Sequence, residues 1–139
     1  MSANDPNHVA YVRGHKLFKR GRFAPAAKWF SVAIEEWPED WQALWALGNC
    51  HSELKNPKKA ERCFRDALEL ASPKDRPKLI FNLGNALFDQ QRFREAITVY
   101  QELPAGHDLI CQAKNNIARA QAKLTNETSV IPADALRRC

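Results

Sequence analysis

Residues 44–67 decide the fold, and they read LWALGNCHSELKNPKKAERCFRDA. The first half carries an apolar stripe at helical spacing through Leu44 and Leu47, and the second half carries another through Ala60 and Phe64. The Asn-Pro pair between the two stripes is typical of a helix N-cap followed by a first-turn proline. The stretch therefore predicts two helices joined by a tight turn.

The same pattern recurs before and after this stretch. Gly14 recurs as Gly48 and Gly84, so the steps are 34 and 36 residues. Two further sets of positions keep the same steps, namely Ala26, Ala60 and Ala96, and Phe30, Phe64 and Tyr100. The longer second step falls in residues 71–75, where a loop absorbs the extra residues. An internal repeat of this length indicates three stacked helical pairs.

Start and stop signals predict seven helices, at about 6–20, 23–37, 41–54, 57–71, 75–90, 93–103 and 108–124. Asp5-Pro6 supplies an N-cap and a first-turn proline, and Gly21 can adopt the left-handed conformation that ends the first helix. Pro104 is expected to cut the sixth helix short.

The composition is that of a folded globular chain. The 139 residues are 45% hydrophobic and carry 21 Lys and Arg against 16 Asp and Glu, which gives a formal charge of +5. No apolar run reaches the roughly 18 residues of a membrane span, and the N-terminus lacks the pattern of a secretory signal peptide. The missing signal pattern leads us to expect a cytoplasmic location. Because the four cysteines form no CxxC pair, we expect free thiols.

The repeated positions resemble the tetratricopeptide repeat (TPR) family. The resemblance is carried by Leu-x2-Leu-Gly-x2-His from Leu44 and by Ala-x3-Phe-x2-Ala from Ala60, with similar residues one step away on either side. It implies an all-α fold, a right-handed superhelical α-solenoid of three helix-turn-helix repeats. The implied parts are repeats at about 7–40, 41–74 and 77–108, a capping helix at about 108–124, and a single domain over about 1–124. Residues 125–139 lose the helical period and predict a flexible tail.

A few positions depart from the family pattern or test its physical basis. Arg13 replaces an apolar residue, and His51 replaces a large aromatic one. We expect His51 to be a core histidine with satisfied hydrogen bonds. We also expect each repeated glycine to face the alanine of its own repeat, as Gly48 would face Ala60, where two helices cross too closely for a larger side chain.

The resemblance also implies a binding surface, because the first helix of each repeat in such a solenoid lines a concave groove. Aromatic residues on one rung of these helices would anchor a partner, and asparagines would hydrogen-bond an extended backbone. The candidate groove residues are Tyr11, His15, Trp45, Asn49, Lys78, Phe81, Asn82, Asn85, Asn115 and Arg119. Two alternatives stay open: the aromatics pack between repeats, and the asparagines are ordinary surface residues.

In co-chaperones of this family, a clamp of lysine, asparagine and arginine holds the C-terminal carboxylates of a heat-shock chaperone. The matching positions in this sequence are Tyr11, His15, Ala46, Lys78 and Asn82, of which Lys78 alone keeps the family's residue. Chaperone-tail binding through that clamp is therefore not expected.

Charge is unevenly distributed near the N-terminus. Six cations from Arg13 to Lys28 have no acid among them, and an acidic run follows at Glu35, Glu36, Glu39 and Asp40. The two runs predict steering of an acidic partner or end-to-end stacking of copies, and the alternative is an ordinary solvated exterior. Neither run has the interleaved aromatics of a nucleic-acid platform, so no nucleic-acid partner is expected.

The sequence carries no motif for hydrolysis, phosphate binding or dinucleotide binding, so we expect no enzymatic activity and no cofactor. His107 and Cys111 lie four residues apart, but two ligands do not complete a tetrahedral zinc site, so no metal is expected. His8 shares a helical face with Tyr11 and His15, where a groove contact or a pH-sensitive contact fits better than a metal.

These observations favour a protein-interaction module that holds a peptide or helical segment of a partner protein in its concave groove, as an adaptor, assembly factor or small chaperone. The alternative is a structural scaffold that self-associates through repeat edges, the capping helix and the tail, where Val130-Ile131-Pro132 could dock in a groove.

Overall fold

The computed structural model of the chain describes residues 8–125. Seven helices follow one another in it: α1 (Val9–Lys19), α2 (Phe23–Glu36), α3 (Trp41–Glu53), α4 (Pro57–Leu70), α5 (Arg76–Asp89), α6 (Phe93–Tyr100) and α7 (Ile110–Leu124). Residues 8–125 contain no strand. The number and order of the helices agree with the sequence prediction, because each amphipathic stripe is bounded by a turn signal.

The N-termini of α1 and α4 differ from expectation in detail. Helix α1 begins at Val9 because the preceding His8 has non-helical backbone angles (φ −80°, ψ 75°). The expected cap at Asp5-Pro6 lies outside the described residues. Asn56 does stand at the N-cap of α4 with Pro57 in the first turn, but its side chain makes no capping hydrogen bond.

The connection between α6 and α7 is longer than predicted. Helix α6 ends at Tyr100, where the backbone N–H of Leu103 bonds to the Tyr100 carbonyl at 3.1 Å and tightens the chain ahead of Pro104. Helix α7 begins at Ile110 rather than near residue 108, because His107 Nδ1 accepts a hydrogen bond at 3.1 Å from the backbone N–H two residues later.

The three turns inside the helical pairs repeat one geometry. Gly21 has a positive φ of 76°, as the sequence predicted, and the residues at the same repeat position, Lys55 and Gln91, both have φ 63°. In the first turn, the N–H of Arg22 bonds back to the Leu17 carbonyl at 2.9 Å, and the other two turns form the corresponding bond. This is the Schellman arrangement, in which the left-handed residue satisfies carbonyls at the helix end.

The chain divides into two compact units between Ser72 and Pro73. The first unit contains α1 to α4 and the second contains α5 to α7. The core of the first unit has a cluster around Ala26, Phe30 and Cys50. A second cluster lies around Ala33 and Ala43. Three expectations from the sequence stay predictions: the single domain, the bounds of the repeats and the superhelical twist.

Each repeated glycine lies against an aromatic ring of the next helix. A Cβ added at Gly14 would lie 2.8 Å from the Phe30 ring, and one at Gly48 would lie 2.5 Å from the Phe64 ring. A Cβ at Gly84 would meet the Tyr100 ring in the same way. The nearest neighbours of each added Cβ are therefore ring atoms, which the sequence prediction did not name, and the helices approach too closely for a larger side chain.

Two cysteines of the first unit are buried inside the α3–α4 pair. Burial is the main cause that raises the pKa of Cys50 to about 12 and that of Cys63 to about 11. Cys50, Cys63 and the half-buried Cys111 are free thiols. The expected tail is 125–139, and all of it after Thr125, including Cys139, lies outside the described residues.

None of the helices found between residues 8 and 125 is long and apolar enough to cross a membrane.

Candidate functional site: a pocket in the first unit

Four of the candidate groove residues line one pocket of the first unit. The pocket has a volume of about 210 Å³, and its lining is mostly apolar. Its walls come from α1 and α3, and Phe30 of α2 contributes to the lining. The lining residues are Tyr11, His15, Phe18, Phe30, Trp45, Ala46 and Asn49.

The spacing of these residues explains why they meet. Tyr11, His15 and Phe18 are separated by four and three residues on α1, so they lie on one helical face. Trp45 and Asn49 have the same four-residue spacing on α3. Because α1 and α3 both pack against α2, the two faces flank the Phe30 ring.

Stacked rings give the α1 wall a fixed shape. The Tyr11 and His15 rings are 6.1 Å apart and nearly parallel, with an interplanar angle of 9°. Tyr11 also contacts Phe30 at 5.4 Å between ring centroids. Burial raises the pKa of Tyr11, and the charge of Asp40 adds to that rise. The phenol therefore stays neutral and serves as a rigid apolar surface with one polar tip.

On the α3 wall, Trp45 is half-buried, and its ring lies 5.9 Å from that of Trp41. Asn49 is half-buried on the same wall. Its carboxamide offers one acceptor and two donor hydrogens, which can bond a peptide backbone. The pocket can therefore bury an apolar side chain and hydrogen-bond the backbone that carries it.

The second unit has residues at the corresponding positions, 70 residues further along the chain. The counterparts of the seven lining residues are, in order, Phe81, Asn85, Phe88, Tyr100, Asn115, Asn116 and Arg119. The ring pair is preserved, because Phe81 contacts Tyr100 at 5.9 Å between centroids. The difference lies in the polar groups.

At these positions of the second unit, three polar side chains form hydrogen bonds with one another. The Tyr100 hydroxyl donates to Asn85 Oδ1 at 2.5 Å, and Asn116 Nδ2 donates to the same oxygen at 3.2 Å. Arg119 lies over the Phe88 ring at 5.5 Å. Burial is the main cause that raises the pKa of Tyr100, so the hydroxyl keeps its proton and remains a donor. Asn85 is thus already hydrogen-bonded within the protein.

The remaining candidate residues of the second unit are partly exposed. Lys78, Asn82 and Asn115 are half-buried, each with partners inside the protein, and Arg119 is exposed on α7. Their part in a groove, like that of Phe81, stays a prediction.

Two histidines differ from the sequence prediction. His8 is 1% exposed and packs at 5.5 Å from the Trp37 ring, so it cannot line a groove. His51 is half-buried and not part of the core. Its hydrogen bonds are not satisfied either, since its buried Nδ1 has no partner among the described residues. Burial, and secondarily the charge of Lys59, lowers the pKa of His51.

Sequence reasoning missed the role of the ring under each glycine and the network around Tyr100. The available signal was the repeat itself. Where the first two repeats have Phe30 and Phe64, the third has Tyr100, and a buried hydroxyl needs a partner. Asn85 and Asn116 supply partners.

No group of three or more His, Cys, Asp or Glu residues between 8 and 125 could hold a metal ion. The His107 side chain, four residues before Cys111, instead accepts a hydrogen bond from the backbone N–H of Leu109.

Known proteins share this architecture. A family model described as Tetratricopeptide repeat matches residues 11–75 and 53–110. One similar solved structure is the first TPR of Spaghetti (RPAP3) bound to the HSP90 peptide SRMEEVD, with a TM-score of 0.71 at 22% identity, covering 84% of this chain and 94% of that chain. Another is the MamA RS-1 ArsTM double mutant, with a TM-score of 0.78 at 15% identity, and the match covers 89% of this chain and 68% of that chain.

A third similar structure is the second TPR domain of human RPAP3 in complex with the HSP70 peptide SGPTIEEVD. Its TM-score is 0.71 at 17% identity, and the match covers 81% of this chain and 92% of that chain. At these identities the structural matches establish the fold, and the family match covers most of the described helices. The chain is an all-α solenoid of helix-turn-helix repeats and belongs to the tetratricopeptide repeat family, whose members are protein-interaction scaffolds.

Proposed function

We propose that the chain is a protein-interaction module whose first-unit pocket receives an apolar side chain from a peptide or helical segment of a partner protein. The observation that carries this proposal is the pocket shared by Tyr11, His15, Trp45 and Asn49. These residues were candidates from their repeat positions alone, and they lie around one opening.

The chemistry of the lining favours a protein segment over a small molecule. A volume of about 210 Å³ lies below the roughly 300–1,000 Å³ of typical small-molecule sites. Rigid aromatic walls bury an apolar side chain with little loss of conformational entropy, as aromatic hot spots commonly do. Asn49 then bonds the backbone beside that anchor, which favours an extended or helical segment over a flat protein surface.

Two of the similar structures contain chaperone peptides, which supports peptide binding as the general mode. The clamp residues that the resemblance implies are replaced by Tyr11, His15 and Ala46 in the first two repeats of this chain. We therefore propose recognition by an apolar anchor rather than by terminal carboxylates. Adaptor, assembly factor and small chaperone are all roles that this chemistry permits.

The proposal is tested by selecting binding peptides from a random peptide library on the immobilised full chain. Selected peptides are then titrated against wild type and against a variant with Trp45→Ala and Asn49→Ala. The control variant carries Val32→Ala and Gln112→Ala, an apolar and an amide residue that are both exposed. Circular dichroism and melting temperature must first show that both variants keep the wild-type fold.

We expect selected peptides to carry a bulky apolar residue and to lose about 30-fold or more in affinity for the pocket variant, since a hot-spot truncation costs about 2 kcal/mol or more. The control variant should bind like wild type. Peptides that bind all three proteins equally would contradict the proposal. Concentration-dependent mass in light scattering that disappears in the pocket variant would instead favour the self-associating scaffold.

A further inference from the structure

The first unit also has a strongly basic end, whose cations are not among the residues that line the pocket. Residues Leu17 and Phe18 near the end of α1, Ala26 near the start of α2 and Cys50 near the end of α3 pack in one cluster. The turn between α1 and α2 and the turn between α3 and α4 therefore lie at the same end of the unit. Both turns are rich in cations: Lys19, Arg20 and Arg22 in the first, and Lys55, Lys58 and Lys59 in the second. We name these six residues the basic edge.

No ion pair within residues 8–125 neutralises the side-chain charges of the basic edge. All six are exposed, and none forms an ion pair with another residue of the part of the chain that the structure describes. Residues 19–22 and 53–59 include a single acid, Glu53. A net positive charge is therefore concentrated over two adjacent turns.

Several of these cations occupy positions that weaken the helices. Lys58 and Lys59 lie in the first turn of α4, and Arg22 is the N-cap of α2. Helix N-termini carry partial positive charge, so cations are unfavourable there and acids are favourable. Neither helix has an acid in its first turn or a side-chain cap. A local rule broken without internal compensation is typical of a functional surface.

The positive field reaches a neighbouring titratable group. After burial, the charge of Lys59 is the cause that lowers the pKa of His51. The equivalent turn of the second unit lacks this imbalance. Residues 89–95 contain Asp89, Arg92, Arg94 and Glu95, and Arg92 pairs with Glu95 at 2.5 Å. The basic edge is thus particular to the first unit.

We propose that the basic edge docks an acidic, aspartate- and glutamate-rich segment of a partner protein. Charge complementarity selects the occupant, because six exposed cations over two turns match a run of carboxylates. A nucleic acid fits the surface less well, since single strands need open aromatic faces for base stacking. The aromatic rings next to the first turn, Phe18 and Phe23, contact each other edge to face at 5.0 Å.

The test compares three forms of the full chain at low salt. The edge variant carries Lys55→Glu, Lys58→Glu and Lys59→Glu. The control variant carries Lys74→Glu, Arg94→Glu and Lys114→Glu, which changes the net charge equally at exposed positions of the second unit. The probes are a fluorescein-labelled oligo-glutamate peptide and a labelled single-stranded oligonucleotide of the same charge, read by fluorescence anisotropy.

We expect the edge variant to lose about tenfold or more in affinity for oligo-glutamate, while the control variant loses much less. Equal losses in the two variants would overturn the proposal, because they would show a response to net charge alone. Unchanged binding in the edge variant would also overturn it, and so would an oligonucleotide that binds wild type more tightly than the peptide does.

Two further measurements keep the result interpretable. If the edge variant unfolds, the neutral variant Lys55→Gln, Lys58→Gln, Lys59→Gln replaces it, with a smaller loss of affinity expected in the same direction. The pocket variant Trp45→Ala, Asn49→Ala should bind oligo-glutamate like wild type. Failure of the basic edge and failure of the pocket proposal are therefore distinguishable.

Discussion

The two units of the chain use corresponding positions differently. In the first unit, Phe30 lies against an open pocket whose walls carry His15 and Ala46. In the second unit, the corresponding ring is Tyr100, and its hydroxyl joins Asn85 and Asn116 in a hydrogen-bonded network. The Tyr100 hydroxyl and its two asparagine partners therefore form an internal contact at positions that correspond to lining residues of the pocket.

The comparison shows that a repeat position has no fixed role. The shared element is steric: a glycine admits the ring of the next helix in both units. The units differ in whether the hydrogen-bonding groups at these positions bond to neighbouring side chains or border an opening. Asn49 borders an opening, whereas Asn85 is bonded to Tyr100 and Asn116.

The largest expected effect tests the shared element. Gly14→Leu and Gly84→Leu should each lower the free energy of unfolding by about 3 kcal/mol or prevent folding, because the added side chain overlaps an aromatic ring. Chemical denaturation measures both values. Gly106→Leu is the matched control, since nothing lies within 4 Å of an added Cβ there. A tolerated Gly84→Leu alone would show that the two units are not built alike.

The next effect tests the network of the second unit. Tyr100→Phe should cost about 1–2 kcal/mol of unfolding free energy, because Asn85 loses a hydrogen-bond donor in a buried setting. Differential scanning calorimetry of wild type, Tyr100→Phe, Asn116→Ala and the double variant gives the coupling between the two residues. Additive effects would mean that the hydroxyl and the amide do not act as one network.

The reciprocal change tests the pocket. Phe30→Tyr should reduce the affinity for a selected apolar peptide by about tenfold, because its hydroxyl would need a hydrogen bond that an apolar side chain cannot supply. Isothermal titration calorimetry measures the change. Phe64→Tyr is the control, since its ring lies under Gly48 and does not line the pocket. Equal losses of affinity in both variants would show that the Phe30 ring is not part of the binding site.

The smallest effect concerns the turns that both units share. Lys55→Gly and Gln91→Gly should each raise the free energy of unfolding by about 1 kcal/mol, because glycine adopts a positive φ without the steric cost of a Cβ. Gly21→Ala should lower it by a similar amount. Thermal melts followed by circular dichroism measure all three. A destabilising Lys55→Gly would indicate that its side chain contributes more than its backbone costs.

The helices could be predicted from the sequence because their signals are local. Gly14, Gly48 and Gly84 mark the repeat, and helix ends moved by only a few residues. The binding candidates were less predictable, since exposure depends on side chains from other helices. His8 is buried against Trp37, which directly follows α2, and Asn85 accepts a hydrogen bond from Asn116 of α7.

We propose that a partner binds at Trp45 and Asn49 of the first-unit pocket and not at Asn85 and Asn116, which are hydrogen-bonded to Tyr100. NMR titration of the full chain with a selected peptide tests this most directly, through the Trp45 indole N–H and the side-chain amides of Asn49 and Asn116. We predict that the Trp45 and Asn49 signals shift on binding while the Asn116 amide signal stays in place. Shifts confined to Asn116, with Trp45 and Asn49 unchanged, would contradict the account.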